Sequence, residues 1–410
     1  VEAELTETPR RLRLLLVIGS LGGGGAERQV VNLLATLDRS RFEPLLYLVY
    51  RTGALLGEVP ADVPVISFDR HPPRTGWRRL VGRLPGQLRR DIIADLTTVL
   101  RDERIDCVYD RTYHMTLLSG PAASRAGVPR LSTVASDPKS DFDQQERRYR
   151  WLKRRLLTRA YRTADRVIAV SEGVRQGILA EYRPAPERVV TLYNPVDFER
   201  IETLAREPLP EPMRAVFNTP GTIHLVAAGR LQIEKRFDLL IAAFGMLAGE
   251  GGVSDGRSTL HLHLLGEGPL RPELTRQIES LGLSGRVHLW GFQPNPFPVF
   301  ARAELFVLSS HHEGFPGVLV EALAAGARGL VSTDCPHGPR EILDGEHGGW
   351  LVPRDDAAAL TTGLRAALSD PAERDQRTNR CRERVRALCS RPATLARLET
   401  LITEVTRERS

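Results

Sequence analysis

Two glutamates eight positions apart, Glu313 and Glu321, flank the loop Gly314-Phe315-Pro316-Gly317. Glu313 follows the apolar run Leu305-Phe306-Val307-Leu308, which reads as a buried parallel strand. Glu321 falls one turn into a helix predicted over Gly317–Ala325 and stopped by Gly326. Its three- and four-apart neighbours there are Gly317, Val318, Ala324 and Ala325, all small or apolar. A carboxylate on such a face needs a hydrogen-bonding partner, and a ribose diol supplies two donors to it. A structural ion pair or a charge at a helix start is the competing reading of the same residues.

Two further apolar runs end in unusual residues. Ile223–Ala228 leads into Gly229-Arg230-Leu231-Gln232-Ile233-Glu234-Lys235, and Leu262–Leu265 into Gly266-Glu267-Gly268-Pro269. Ligands of open parallel sheets bind outside the carboxyl ends of the strands, where all these residues would gather. Arg230, as a bidentate fork, and Lys235, as a point charge, would neutralise a pyrophosphate. The helix opening at Gly317 adds free N–H groups and a positive dipole end. Singly, Arg230 and Lys235 are ordinary surface charges. Together with two carboxylates they suit a nucleoside-diphosphate sugar.

The first half offers Gly22-Gly23-Gly24-Gly25 between a strand and a helix. No Gly-Lys-Ser/Thr follows, so it is not a Walker loop, and it fits the dinucleotide fingerprint loosely. Gly23, Gly24 and Gly25 would instead let backbone approach a phosphate or sugar. Asp141-Phe142-Asp143 matches a short metal-site pattern that recurs by chance. His261 and His263 share a strand face but lack a third ligand. Neither motif reads as a metal site.

Strand-length apolar runs alternate with helix-period segments throughout, which predicts α/β architecture with parallel sheets. At 410 residues the chain suits two domains. The expected division is 1–196 as an acceptor-side domain, 197–220 as a proline-rich linker, 221–385 as a nucleotide-sugar domain and 386–410 as a helix returning to the first domain. Residues 249–256 read as a loop insert, and Arg374 to Arg386 as mostly solvated surface. The thirteen opening residues lack the order of a secretory signal, and no apolar run approaches membrane-spanning length. Four scattered cysteines form no metal or redox spacing and suggest a reducing, cytoplasmic setting.

The net charge of +6 is uneven: residues 1–200 hold 33 Lys+Arg against 25 Asp+Glu, and the remainder 24 against 26. Basic clusters lie at Arg78-Arg79 with Arg83, at Arg89-Arg90 and over 147–155. No nucleic-acid module or aromatic stacking pattern accompanies them, so nucleic acid is not an expected partner. Basic residues interleaved with Trp151, Leu152, Leu156, Leu157 and Tyr161 fit a helix touching an anionic membrane surface. A solvated face is the alternative.

These pieces resemble the retaining glycosyltransferase family four of the GT-B fold. The matching residues span nearly the whole chain: the Gly22–Gly25 loop with Ala26-Glu27-Arg28, Ser171-Glu172-Gly173-Val174, Asn194-Pro195-Val196-Asp197, Gly229-Arg230-Leu231 with Lys235, Gly266-Glu267-Gly268-Pro269, and Glu313 through Glu321. The resemblance implies two Rossmann-like domains facing a cleft, with the last helix crossing back onto the first. It also implies Arg230 and Lys235 on the diphosphate, Glu321 on the ribose, and Glu313 on the hexose hydroxyls in a positioning role. Glu267, the amides near Phe315, Gly317 and Val318, and the turn at Gly291-Phe292 would complete the donor site.

The implied reaction moves a hexose or N-acetylhexosamine from a nucleoside-diphosphate donor, with UDP as the expected nucleotide and with no metal or cofactor, to a hydroxyl of a glycan, lipid-linked saccharide or small molecule. Many members place a histidine at the end of the strand matching Leu131–Val134, where this chain has Ala135-Ser136-Asp137-Pro138. Asp137 and the nearby His114 are the candidates to replace it. The segment Asp334–Glu341 looks like a subgroup acting on hexoses or hexosamines of surface glycans. A GT-B epimerase or phosphorylase, and a non-catalytic sugar-binding or scaffold protein at a membrane, are the other readings. A phosphorylase would need a cofactor lysine, and the second half holds Lys235 alone.

Overall fold

The computed structural model describes residues 10–70, 86–139, 142, 149–249 and 259–409. The chain divides into two compact units. The first runs to Val170, resumes over Val174–Leu192 and takes back the chain from Pro392; the second holds Ser171–Gly173 and Tyr193–Arg391.

In the first unit, β1 (Leu12–Ile18), β2 (Phe42–Leu48), β3 (Val65–Ser67), β4 (Cys107–Arg111), β5 (Arg130–Val134), β6 (Arg166–Ala169) and β7 (Val189–Thr191) form one sheet. Their order is β3-β2-β1-β4-β5-β6-β7, with all pairs parallel. A strand buried on both faces reads as a continuous apolar run, and β1 does: Leu14, Leu16 and Ile18 pack in one core, Leu15 and Val17 in the other. Each fully buried leucine contributes about 1.5–3 kcal/mol. The helix Arg391–Arg407 adds Leu398, Leu401, Ile402 and Val405 to the first of these cores.

The second unit repeats the design with β8 (Thr222–Ala228), β9 (Thr259–Leu265), β10 (Val287–Gly291), β11 (Leu305–Leu308), β12 (Leu330–Thr333) and β13 (Trp350–Val352). The order β10-β9-β8-β11-β12-β13, again parallel, reverses between β8 and β11. Chain connections leave a crevice at such a reversal, outside the carboxyl ends of the strands. The two units are thus Rossmann-like, as the alternation predicts.

Several elements differ from the sequence expectation. Residues 193–220 are not a bare linker: they belong to the second unit and form the helices Phe198–Ala205 and Glu211–Phe217. Asp197 caps the former by accepting from Arg200 N at 3.1 Å. The units part at Leu192/Tyr193 and again at Arg391/Pro392 rather than at 196 and 385. The helix Tyr113–Ala126 hides behind an internal Pro121. Proline cannot donate to the carbonyl four residues back, and Arg89 Nη2 donates to that Leu117 oxygen instead, at 2.9 Å. The helix Pro371–Cys389 is mostly solvated, as expected of Arg374 to Arg386, while Arg374, Thr378, Cys381, Val385 and Cys389 share a buried stripe. The insert 249–256 falls almost wholly outside the described residues, as do Asp141, Asp143 and Arg78, Arg79 and Arg83.

Candidate active site

Glycines lock the carboxyl ends of β8, β9 and β10 together. Gly229 N donates to Leu265 O at 2.9 Å, and Gly266 N to Gly291 O at 2.8 Å. Gly266 has φ +135°, and a Cβ there would stand 1.9 Å from Gly229 O. A Cβ on Gly268 would stand 2.4 Å from Leu231 O. Only glycine permits this approach of three strand ends. The lock presents Arg230, Glu267 and Phe292 on one rim. Arg230 is 66% exposed, with Glu234 at 3.6 Å. Glu267 pairs with Arg271 Nη1 at 2.8 Å, and its carbonyl accepts from Leu231 N at 2.9 Å. Phe292 projects into solvent after Gly291, whose φ is +75°.

Lys235 closes a turn of 3₁₀ helix after β8, and Glu313 follows β11, so the two meet across the β8/β11 reversal. Lys235 Nζ donates to Glu313 Oε1 at 2.6 Å, and Ser310 Oγ donates to the same oxygen at 2.7 Å. Ser309 Oγ fixes the lysine's own backbone by donating to its carbonyl at 2.8 Å. Both ends of the ion pair are mostly buried, where screening by water is weak. Among the described residues Glu313 Oε2 takes no hydrogen bond, which leaves the carboxylate an acceptor for a hydroxyl.

The helix Gly317–Ala325 begins after extended Pro316 and ends on left-handed Gly326, as its sequence predicts. Among the described residues no side chain caps its start, so the first amides at Gly317 and Val318 are available as donors. Glu321 is half-buried one turn further on. Phe315 is buried rather than exposed; its ring lies 5.1 Å from that of Tyr193, so it can offer only backbone to a ligand. Beside this loop the Cys335 thiol is held up to about 12 by burial, with the Glu313 charge adding to the effect.

The structure therefore gathers Arg230, Lys235, Glu267, Phe292, Glu313, Phe315, Gly317, Val318 and Glu321 along the strand ends of the second unit. Gly23, Gly24 and Gly25 belong to the first unit, after β1; Gly23 has φ +102° and Gly24 precedes the helix Gly25–Thr36. Also there, His114 is exposed at the start of a helix, while Asp137 is buried and accepts from Lys139 N at 3.1 Å. Sequence reasoning missed Ser310, Tyr193 and Glu341 as parts of the Glu313 neighbourhood. A serine three residues before the glutamate was the available signal for the first.

His261 and His263 have a different setting from the isolated pair the sequence suggests. His224 on β8 and His288 on β10 join them: His263 Nε2 lies 3.0 Å from His224 Nδ1, and His261 Nδ1 lies 3.0 Å from His288 Nε2. Among the described residues no group of three or more His, Cys, Asp or Glu is placed to hold a metal ion.

The family model for group 1 glycosyl transferases matches residues 222–370, and that for glycosyltransferase family 4 matches residues 23–200. Over 388 residues, 92% of this chain and 95% of the relative, the chain is 27% identical to the Campylobacter jejuni N-acetylgalactosamine-N,N'-diacetylbacillosaminyl-diphospho-undecaprenol 4-alpha-N-acetylgalactosaminyltransferase. It is 28% identical to the 2-deoxystreptamine N-acetyl-D-glucosaminyltransferase of Streptomyces fradiae, covering 87% of this chain and 85% of that one. Among solved structures, Anabaena Alr3699/HepE in complex with UDP is similar with a TM-score of 0.75 at 19% identity, over 96% of this chain and all of that one. Matched in both units, and built on the same paired sheets, the chain belongs to the glycosyltransferases of GT-B fold.

Proposed function

We propose that this transferase moves a hexose or N-acetylhexosamine from a UDP-linked donor to a hydroxyl of a glycan or lipid-linked saccharide, with retention at the anomeric carbon and without a metal. The Lys235–Glu313 pair at the β8/β11 reversal carries the reading. Arg230 and Lys235 would take the charge of the departing diphosphate, aided by the Gly317 and Val318 amides at the positive end of their helix. Glu321 would accept from the ribose hydroxyls and Glu313 Oε2 from a sugar hydroxyl, with Phe292 beside the base. Glu313 is already held by an ammonium and a hydroxyl, which suits positioning better than nucleophilic attack. Retention then follows from same-face attack within an ion pair.

The names of the relatives support the donor and acceptor classes: UDP is bound in HepE, and the Campylobacter enzyme acts on a diphospho-undecaprenol saccharide. Thermal melting with a nucleotide panel in EDTA tests the donor half. A ligand at 100 times its Kd adds about 2.7 kcal/mol. The proposal expects the largest shift with UDP and UDP-sugars, followed by transfer with an unchanged anomeric configuration by NMR. No shift with any nucleotide and no turnover would overturn it.

The acceptor class makes a membrane surface the natural workplace, and the first unit offers a surface for it. Along the helix Arg150–Arg162, positions 151, 152, 155 and 159 share the face opposite buried Leu157, Ala160 and Tyr161. That face carries Trp151, 70% exposed, Leu152, Arg155 and Arg159. An apolar tip with flanking cations is the composition of a helix lying on anionic lipid. Among the described residues no helix is long and apolar enough to cross a membrane.

A further inference from the structure

The Glu313 loop has no regular secondary structure, yet its carboxylate must be placed to within a fraction of an ångström to select one sugar hydroxyl. Three neighbours hold it. Ser171 Oγ, fully buried, donates to Gly314 O at 2.8 Å. The Tyr193 ring lies 5.1 Å from that of Phe315. Gly338 presses its backbone against the loop: a Cβ there would stand 2.5 Å from Pro316 Cδ and 2.9 Å from Phe315 Cα.

One side chain organises all three. Glu341 accepts from Glu172 N through both carboxylate oxygens, at 3.1 and 3.0 Å, which fixes the backbone next to Ser171. Its Oε1 accepts from the Tyr193 hydroxyl at 2.5 Å, which fixes the ring against Phe315. It stands three residues after Gly338 in the same segment. Glu341 thus joins three stretches distant in sequence, 171–172, 193 and 338–341, around one loop. Burial and the adjacent carboxylate hold the Tyr193 phenol well above its ordinary range, so it remains a donor across the working pH.

We infer that Glu341 is a positioning residue for the Glu313 loop, acting through Tyr193 and through the backbone at Ser171-Glu172. The inference rests on the donor-site reading above. A bare structural role would lower stability alone; a positioning role lowers kcat more than UDP affinity, which rests on Arg230, Lys235 and Glu321 besides the Gly317 and Val318 amides.

The test compares the full chain with its Glu341→Gln and Tyr193→Phe variants by hydrogen exchange, UDP titration and turnover. Gln offers one acceptor where two donors converge, and Phe removes a single hydroxyl without changing the ring. The amides of Glu313 and Leu319, which donate to Pro336 O at 3.3 Å and to Pro316 O at 3.0 Å, should exchange about tenfold faster or more in both variants. UDP affinity should stay within about threefold and kcat should fall about 10- to 100-fold. The double variant should be no slower than Glu341→Gln alone, because both act through one contact. Unchanged exchange at the Glu313 and Leu319 amides in both variants overturns the inference, whatever the activity. So does a turnover loss accounted for by the unfolded fraction. Should Glu341→Gln fail to fold, Tyr193→Phe carries the same readings. Absence of turnover in the unmodified chain would sink the transferase reading, while the exchange rates would still decide whether Glu341 clamps the loop.

Discussion

Lys235 Nζ lies 2.6 Å from Glu313 Oε1, joining residues 78 apart in sequence at the point where the strand order of the second unit reverses. The pair makes each partner's removal costly to the other. Lys235→Met leaves the Glu313 carboxylate mostly buried with Ser310 as its remaining donor, and Glu313→Gln leaves an ammonium without its counter-charge. Each should lower kcat/KM about 100-fold or more, and the double variant should fall well short of the product of the two. Full additivity in steady-state kinetics would mean that the pair does not act as a unit.

Glu321 and Arg230 should separate binding from chemistry. On the proposed roles, Glu321→Ala would remove an interaction with a part of the donor that does not react, so KM for donor should rise about tenfold with kcat little changed. Arg230→Ala would, on the same proposal, remove charge stabilisation that grows as the diphosphate departs, so kcat should fall about 10- to 100-fold. The same effect from both substitutions would disprove the division of roles.

Gly266 is a stability prediction. With φ +135° and 1.9 Å between an added Cβ and Gly229 O, Gly266→Ala should cost about 3 kcal/mol in denaturant unfolding and weaken UDP binding with it. A variant as stable as the parent would show that the three strand ends can part freely.

The histidines set an acid limit. Trp290 Nε1 donates to His263 Nδ1 at 2.9 Å, so His263 can donate only from Nε2, toward His224 Nδ1. His224 then donates from Nε2 to Thr222 Oγ1 at 2.9 Å, whose hydroxyl donates to Thr219 O at 2.6 Å. Every ring nitrogen of His224 and His263 is used, and neither ring can accept a proton without losing a bond. Burial depresses His224 and His288 to about 4 and His263 to about 2, from an ordinary value of 6.5. Phe217 packs on the two inner rings, and Arg286 adds its charge beside His261. The unfolded chain gains protons below pH 6.5 that the fold refuses, so stability is full above that value and is lost as pH falls toward about 4. Melting temperature should drop steadily between pH 6.5 and 4, and less steeply in His224→Phe. A flat profile would contradict the neutral relay.

Vesicle sedimentation checks the membrane surface. The chain should bind anionic vesicles at low salt, release at high salt and ignore zwitterionic ones. Trp151→Ala with Arg155→Ala should weaken binding about tenfold or more, since each Lys or Arg near such a surface contributes about 1 kcal/mol. Equal binding by the double variant would assign that face to solvent.

The chain by itself determined the alternation of buried strands and helices, and the spacing that puts Glu313 before a helix and Glu321 inside it. These are local properties: strand burial on both faces, helix stops and glycine conformations are written in adjacent residues. It did not reveal Trp350–Val352 as a strand, which is three residues long, or the helix interrupted by Pro121, whose freed carbonyl is satisfied by an arginine from another helix. It named His261 and His263 as a pair, whereas parallel register brings His224 and His288 beside them. The folded structure alone decided that Lys235 meets Glu313 and that Glu341 reaches Tyr193 and Glu172. Such pairings depend on strand order and on loop ends meeting across a sheet edge, where no sequence periodicity relates the partners.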